Sequence, residues 1–212
     1  MSQAQQRRFS KLTATLTCVL MLAFIALAPV QAQAYRTLDN PLMTEGSGVE
    51  VREFFSYACP HCADFEPRIR AWSEQMGDQV SIVHTPVTFG RDAWEVLARA
   101  YFAADALGII QDTHRAMFDA IHVDGRQFPN AAAVAAFYAS ITDVSEQDVV
   151  DAMNSFSVNS RINQANRLVG EYGVPGTPAV AVAGKYLIDV RAAGSQMGLL
   201  EVAESLVNRE SE

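Results

Sequence analysis

The sequence predicts an α/β protein whose strand regions are interrupted by a long helical insertion. Three observations carry that expectation. A β-branched and aromatic run, Gly48 to Tyr57 (GVEVREFFSY), leads into Cys59-Pro60-His61-Cys62 and then into apolar residues at helical spacing. From Asp92 to about Tyr172 the pattern turns helical and stays so. After Gly173 it returns to short strand-like runs separated by turn residues. Residues 35–91 and 173–212 therefore read as one α/β domain, with residues 92–172 as an inserted helical domain.

The first 34 residues read as an export signal. Arg7, Arg8 and Lys11 form a charged start, Leu12 to Ala28 an apolar stretch, and Ala32-Gln33-Ala34 a small-residue cleavage site. An uncleaved anchor fits the short stretch and small-residue exit poorly, and no other run is long enough to span a bilayer. Cys18 lies inside the apolar run, away from the end where a lipoprotein cysteine would sit. Cleavage after Ala34 removes three basic residues and no acid. The net charge goes from −8 to −11, with 13 basic against 24 acidic residues. Such a surface argues against nucleic acid and anionic membrane as partners. It also leaves Cys59 and Cys62 as the only cysteines, in an exported protein whose compartment lets disulfides persist.

Tyr35 to Gly48 reads as an arm leading to the first strands. In the strand that follows, Val49, Val51, Glu53, Phe55 and Tyr57 share a face by alternation, which places Glu53 among apolar neighbours. A solvated surface acid and a buried carboxylate both fit that pattern. The helix after the cysteines is expected from Pro60 to about Met76, with Phe65, Ile69, Trp72 and Met76 on one face and Gly77 as its end. Pro60 suits the first turn; Pro67 should kink the helix. Val80 to Val87 reads as a strand, with His84 assigned to packing. Within the insertion Asn130 and Ser145 are expected N-caps, and Gly108, Gly125 and Gly173 expected stops. His114 and His122 have no nearby cysteine or matching pair and are not read as metal ligands. Ala179 to Ala183, a turn at Gly184 and Lys185 to Val190 form a hairpin, and a helix from about Ser195 to Asn208 closes the chain.

Two cysteines two residues apart can form a redox pair, half of a metal site or a haem attachment. Haem attachment needs His directly after the second cysteine, but His61 precedes Cys62 and Ala63 follows it. A zinc site needs a second pair, and Cys18, the only other cysteine, falls in the export signal. The redox pair leads. A purely structural bridge across two residues would constrain little chain entropy. At a helix N-terminus the first cysteine also meets unpaired N–H groups that favour a thiolate, the reactive form.

Glu53-Phe54-Phe55-Ser56 running into Cys59-Pro60-His61-Cys62, then Asp64-Phe65-Glu66, and later the stretch from Gly173 to Tyr186, resemble the DsbA family. These are thioredoxin-fold thiol oxidases of the bacterial periplasm, and the resemblance covers essentially the whole mature chain. It implies a thioredoxin fold, a periplasmic monomer and no cofactor. It implies a protein that gives its Cys59–Cys62 disulfide to unfolded or newly exported cysteine-containing proteins and is reoxidised by a DsbB-like inner-membrane quinone reductase. It further implies that Pro178, preceded by Thr177, is cis and faces the cysteines across a substrate-binding site. Glu53 would be buried beneath them, exchanging a proton with Cys62. The family's best-known members place a lysine beside that glutamate; here Thr88-Phe89-Gly90-Arg91 offers Arg91 instead.

In this scheme Cys59 is the exposed sulfur that a substrate thiolate attacks, and Cys62, one helical turn inward, resolves or leaves. His61, if protonated, and the helix N-terminus are expected to lower the Cys59 pKa and favour the dithiol, which makes the disulfide an oxidant. Two other readings stand beside it. One is a reductase or isomerase of the same superfamily, although Tyr35 to Gly48 is too short for the dimerisation domain isomerases usually carry. The other is a soft-metal binder using Cys59, Cys62 and His61 for Cu(I) or zinc.

Overall fold

The computed structural model describes residues 34–211; the segment read as an export signal, with Cys18, lies outside the described residues, Ala34 excepted. Five strands form one mixed sheet in the order β1-β5-β4-β2-β3. β1 is Arg36–Thr37, β2 Val49–Phe55, β3 Val80–Pro86, β4 Ala179–Val182 and β5 Tyr186–Asp189. β2 and β3 are parallel, and α1, Pro60–Met76, is the crossover between them. The remaining pairings are antiparallel. The arm before β2 is thus more than a lead-in, because Arg36 and Thr37 extend the sheet against Leu187 and Tyr186. Helices α2 (Asp92–Ala106), α3 (Ile110–His122), α4 (Ala131–Ile141), α5 (Glu146–Asn154) and α6 (Phe156–Tyr172) lie between β3 and β4 in the chain. After β5 come α7 (Val190–Ala193) and α8 (Gln196–Glu210). Among the described residues no helix is long and apolar enough to cross a membrane.

Side-chain caps set where several helices begin. Asn130 accepts the Ala133 N–H at 3.0 Å, Ser145 that of Asp148 at 3.1 Å and Ser195 that of Gly198 at 2.9 Å. Gly173, at φ 59°, ends α6 in the left-handed conformation that only glycine adopts without strain. α1 starts on Pro60, whose missing N–H is needed by no intrahelical bond, and continues through Pro67 to its cap at Gly77. The turn into β2 also requires a glycine. Gly48 has φ +75°, and a Cβ there would lie 2.8 Å from the backbone oxygens of Asp78 and Gln79.

β2 is covered on both faces, which alternation alone did not foresee. On one face Val51 packs with Phe65, Ile69 and Trp72 of α1 and with Leu199, Ala203 and Leu206 of α8. On the other, Phe54 packs with Leu38, Tyr172, Val174 and Leu187. Two charges are buried on that second face, but as a pair: Arg52 donates to Glu50 Oε1 at 3.0 Å and to Thr85 Oγ1 at 2.9 Å. An ion pair with its remaining hydrogen bonds satisfied is the form in which buried charge is tolerated. At the end of β2, Phe55 and Tyr57 enter the core of the inserted helices, against Tyr101, Met117, Phe118 and Tyr138. Fully burying each such large apolar side chain contributes about 1.5–3 kcal/mol. Cys59, Cys62 and Ala63 belong to the same cluster. The start of α1 is therefore held between the sheet and the insertion.

Candidate active site

Cys59 is the N-cap residue of α1, with extended backbone and no side-chain cap. Its carbonyl accepts the N–H of Cys62 at 3.0 Å and of Ala63 at 3.2 Å, so the first turn closes directly beneath it. Both cysteines are free thiols; Cys59 keeps 8% of its surface exposed and Cys62 none. Their acidities are driven apart. A hydrogen bond from Cys62 lowers the Cys59 pKa most, burial opposes it, and the Thr177 side chain and the backbone N–H groups of Cys62 and His61 lower it further, to about 5. Burial first, then the hydrogen bond to Cys59 and the negative charges at Cys59 and Glu53, raise Cys62 well above its ordinary value. At neutral pH the pair holds one thiolate and one thiol.

The His61 side chain is exposed, and its backbone N–H lowers the Cys59 pKa, a contribution that the sequence reading did not single out. The carbonyl of His61 accepts a 2.8 Å hydrogen bond from Gln196, which ties α8 to the active turn and had no signal in the sequence. Pro60 occupies the first helical position, as its fixed φ favours.

Thr177–Pro178 is cis and brings the start of β4 to the cysteines. The Thr177 carbonyl lies 3.5 Å from Cys59 Sγ, where it can accept from the thiol form; its side chain favours the thiolate instead. On the opposite side, two histidines of α3 grip Tyr57, two residues before Cys59. The Tyr57 hydroxyl bonds His114 Nδ1 at 2.8 Å, and the Tyr57 carbonyl accepts from His122 Nε2 at 2.8 Å. Both histidines hold Tyr57 in position. Among the described residues no group of three or more His, Cys, Asp and Glu side chains is arranged to hold a metal ion.

Glu53 is buried, 1% exposed, and its carboxylate is bonded to His84 Nδ1 at 2.8 Å. Two expectations are corrected here. His84 is not simply packing, and Arg91 is not the partner of Glu53: its guanidinium stacks 4.6 Å above the Trp94 ring. The parallel register explains the pairing, because Glu53 and His84 are direct ladder neighbours on β2 and β3. Both are the fifth residue of a seven-residue strand, a coincidence visible in the sequence only once the two strands are aligned side by side.

A parallel β-α-β unit with a dithiol at the helix start, faced by a cis-proline loop, defines the thioredoxin-fold class of dithiol proteins. Residues 50–197 match the DSBA-like thioredoxin domain, and the chain belongs to that family. It is 33% identical over 199 residues to the thiol:disulfide interchange protein DsbA of Pseudomonas aeruginosa, covering 90% of this chain and 93% of that one. The DsbA of Burkholderia cepacia is 35% identical over 184 residues, 86% of each chain. The crystal structure of the oxidoreductase DsbA from Xylella fastidiosa matches with a TM-score of 0.78 at 32% identity, covering 86% of this chain and 98% of that chain. The chain is a thiol:disulfide oxidoreductase with an α/β thioredoxin fold and a helical insertion.

Proposed function

We propose that this protein works as an oxidant in the periplasm, passing the Cys59–Cys62 disulfide to newly exported cysteine-containing proteins. The observation that carries this direction is the Cys59 pKa of about 5 beside a Cys62 held as the thiol. A stabilised thiolate is a good leaving group and favours the reduced pair, so the disulfide is readily given away. A client thiolate attacks Cys59 Sγ, the Cys59–Cys62 bond breaks, and Cys62 leaves as a thiolate that takes up one proton. A second client thiolate then attacks the client sulfur of the mixed disulfide and expels Cys59 as a thiolate. Two electrons pass from the client dithiol to the protein. Of the two client protons one goes to Cys62 and one to solvent.

The acidic mature surface and the apolar, basic start of the chain support export and a polypeptide client over a nucleic acid. Return of the pair to the disulfide needs a two-electron acceptor, and a DsbB-like membrane protein coupled to quinone fits that chemistry. The direct test supplies catalytic amounts of the protein to a reduced multi-cysteine client, with glutathione disulfide as terminal oxidant. Client disulfides should form faster than with glutathione disulfide alone. No acceleration, together with efficient reduction of an oxidised client, would assign the reductase reading.

Thr177 offers a further check. Thr177→Val keeps the shape and removes the hydroxyl, leaving only the apolar side chain and the carbonyl at Cys59. A hydrogen bond to a charged group is worth about 1.5–3 kcal/mol, so the Cys59 pKa should rise by about one to two pH units. The pH dependence of Cys59 alkylation measures this, and an unchanged midpoint would remove Thr177 from the site.

A further inference from the structure

A groove of about 660 Å³ lies behind the active-site helix, between α1, β3 and the helices α2 and α3. Two histidines from separate parts of the fold line it, His84 of β3 and His114 of α3. Their ring centres are 5.0 Å apart and their planes 41° apart. Each ring is fixed through its Nδ1. That of His84 lies 2.8 Å from Glu53 Oε2, and that of His114 lies 2.8 Å from the Tyr57 hydroxyl. Both anchors belong to β2 and the turn that follows it, so Nε2 is left on the far side of each ring. The His84 side chain keeps 26% of its surface exposed, whereas His114 Nε2 is buried and, among the described residues, has no hydrogen-bond partner. A buried polar atom without a partner, in a polar groove, marks a place for water or an ion. Burial first, then the neighbouring His84 and Arg115, hold His114 in the neutral form.

We propose that His84 and His114 are the two protein ligands of a site for a borderline divalent transition-metal ion such as Cu²⁺, bound through their Nε2 atoms with water completing its shell. Imidazole nitrogen suits such ions, and Cu²⁺ binds nitrogen sites most strongly among them. Two imidazoles on one ion, with metal–nitrogen bonds of about 2.0–2.1 Å, hold their ring centres roughly 5 Å apart. The two rings already have that spacing. A ligating histidine has its other ring nitrogen held by a hydrogen-bond partner, often a carboxylate. Glu53 and Tyr57 are those partners here. With Glu53 accepting from His84 Nδ1–H, the Nε2 lone pair is free. The Tyr57 oxygen accepts as well as it donates, so His114 can carry its hydrogen at Nδ1 and present Nε2 in the same way. The carboxylates that line the groove are held by arginines, Glu66 and Glu74 by Arg70 and Asp105 by Arg161. They offset charge without supplying a third ligand, and the site stays open to solvent. A bound ion ties the inserted helices, through α3, to β3 of the sheet. The sequence could not pair these residues, because only the fold brings α3 against β3. The site is separate from the thiols of Cys59 and Cys62 and does not rest on the direction of disulfide exchange.

The test uses the untagged mature chain with Cys59 and Cys62 oxidised to the disulfide, so that no thiolate competes for metal. Cu²⁺ is titrated in, with affinity read by calorimetry and ligation by electron paramagnetic resonance. One ion should bind per chain with coupling to two imidazole nitrogens, and the unfolding midpoint should rise with free Cu²⁺. His84→Gln leaves the Tyr57–His114 contact in place. It and His114→Gln should each weaken binding by at least ~10-fold and lose one nitrogen from the spectrum. Glu53→Gln, which weakens the partner that orients His84, should cost about 10-fold. His61→Gln should bind as the wild type, because that exposed imidazole lies outside the groove. Undiminished affinity in His84→Gln would overturn the proposal. So would a single nitrogen in the wild-type spectrum, a loss of binding in His61→Gln, or no binding to the wild type. Failure of the oxidant reading would show instead in the redox equilibrium with glutathione, which metal binding to the disulfide form does not report.

Discussion

Replacing Cys62 with serine should end turnover and leave clients covalently attached to Cys59. The second exchange then has no partner sulfur, and the mixed disulfide persists. Loss of one member of a catalytic pair that acts as a unit should cost on the order of a thousandfold or more in rate. Cys59→Ser should be equally inactive yet trap nothing, because the remaining sulfur is sealed, with none of its surface exposed. The measurement is electrophoresis of the two variants after mixing with an oxidised client under non-reducing conditions. Equal trapping by both would mean that the attacked sulfur has been misassigned.

The reduced protein should gain stability over the oxidised one as pH rises from about 5, the reverse of a structural bridge. Folding depresses the Cys59 pKa from its ordinary 9.0 to about 5. A depressed acid stabilises the fold fully above its unfolded pKa, and that stability is lost as pH falls through the folded value. At about 1.4 kcal/mol for each pH unit between the two values, cut by about half because solvent reaches the sulfur, the gain across the window is ~3 kcal/mol. Cys62 adds nothing at neutral pH, since its raised pKa leaves it a thiol in both states. The oxidised form has no thiolate and is flat by comparison. In the chain-entropy picture its short loop adds roughly 2 kcal/mol at every pH, so the slope of the difference is the cleaner quantity. Denaturant melts of both forms across pH 5 to 9 give it. His61→Ala should leave the slope intact and His61→Pro should reduce it, because the contribution runs through a backbone N–H. A difference that does not move with pH would make Cys59–Cys62 a staple.

Much of this was visible in the residues themselves. The CxxC between a β-rich run and a helical run, the ends of α1 at Pro60 and Gly77, and the caps at Asn130 and Ser145 are local signals, and local chemistry fixes them. Thr177 and Pro178 reached the site through family likeness, since nothing in an isolated X-Pro pair says what it faces. The missed features depend on which strands become neighbours. His84 looked like an ordinary strand residue until the parallel register set it beside Glu53. Nothing local in the sequence marks Glu50 and Arg52 for burial, which follows from α6 and the arm at Leu38 covering that face of β2. Arg91 was near Glu53 in expectation only; the stack with Trp94 turns it elsewhere. The backbone N–H of His61, which lowers the Cys59 pKa, is a contribution that the sequence reading did not single out.

Everything in the oxidant account converges on how strongly the reduced pair is favoured. Equilibrating the protein with defined ratios of reduced to oxidised glutathione, and quantifying the Cys59–Cys62 dithiol after acid quench, measures that directly. The account predicts that the dithiol dominates even where glutathione is largely oxidised, and that the midpoint shifts towards the ordinary range in Thr177→Val. A midpoint like that of a reducing thioredoxin would contradict it.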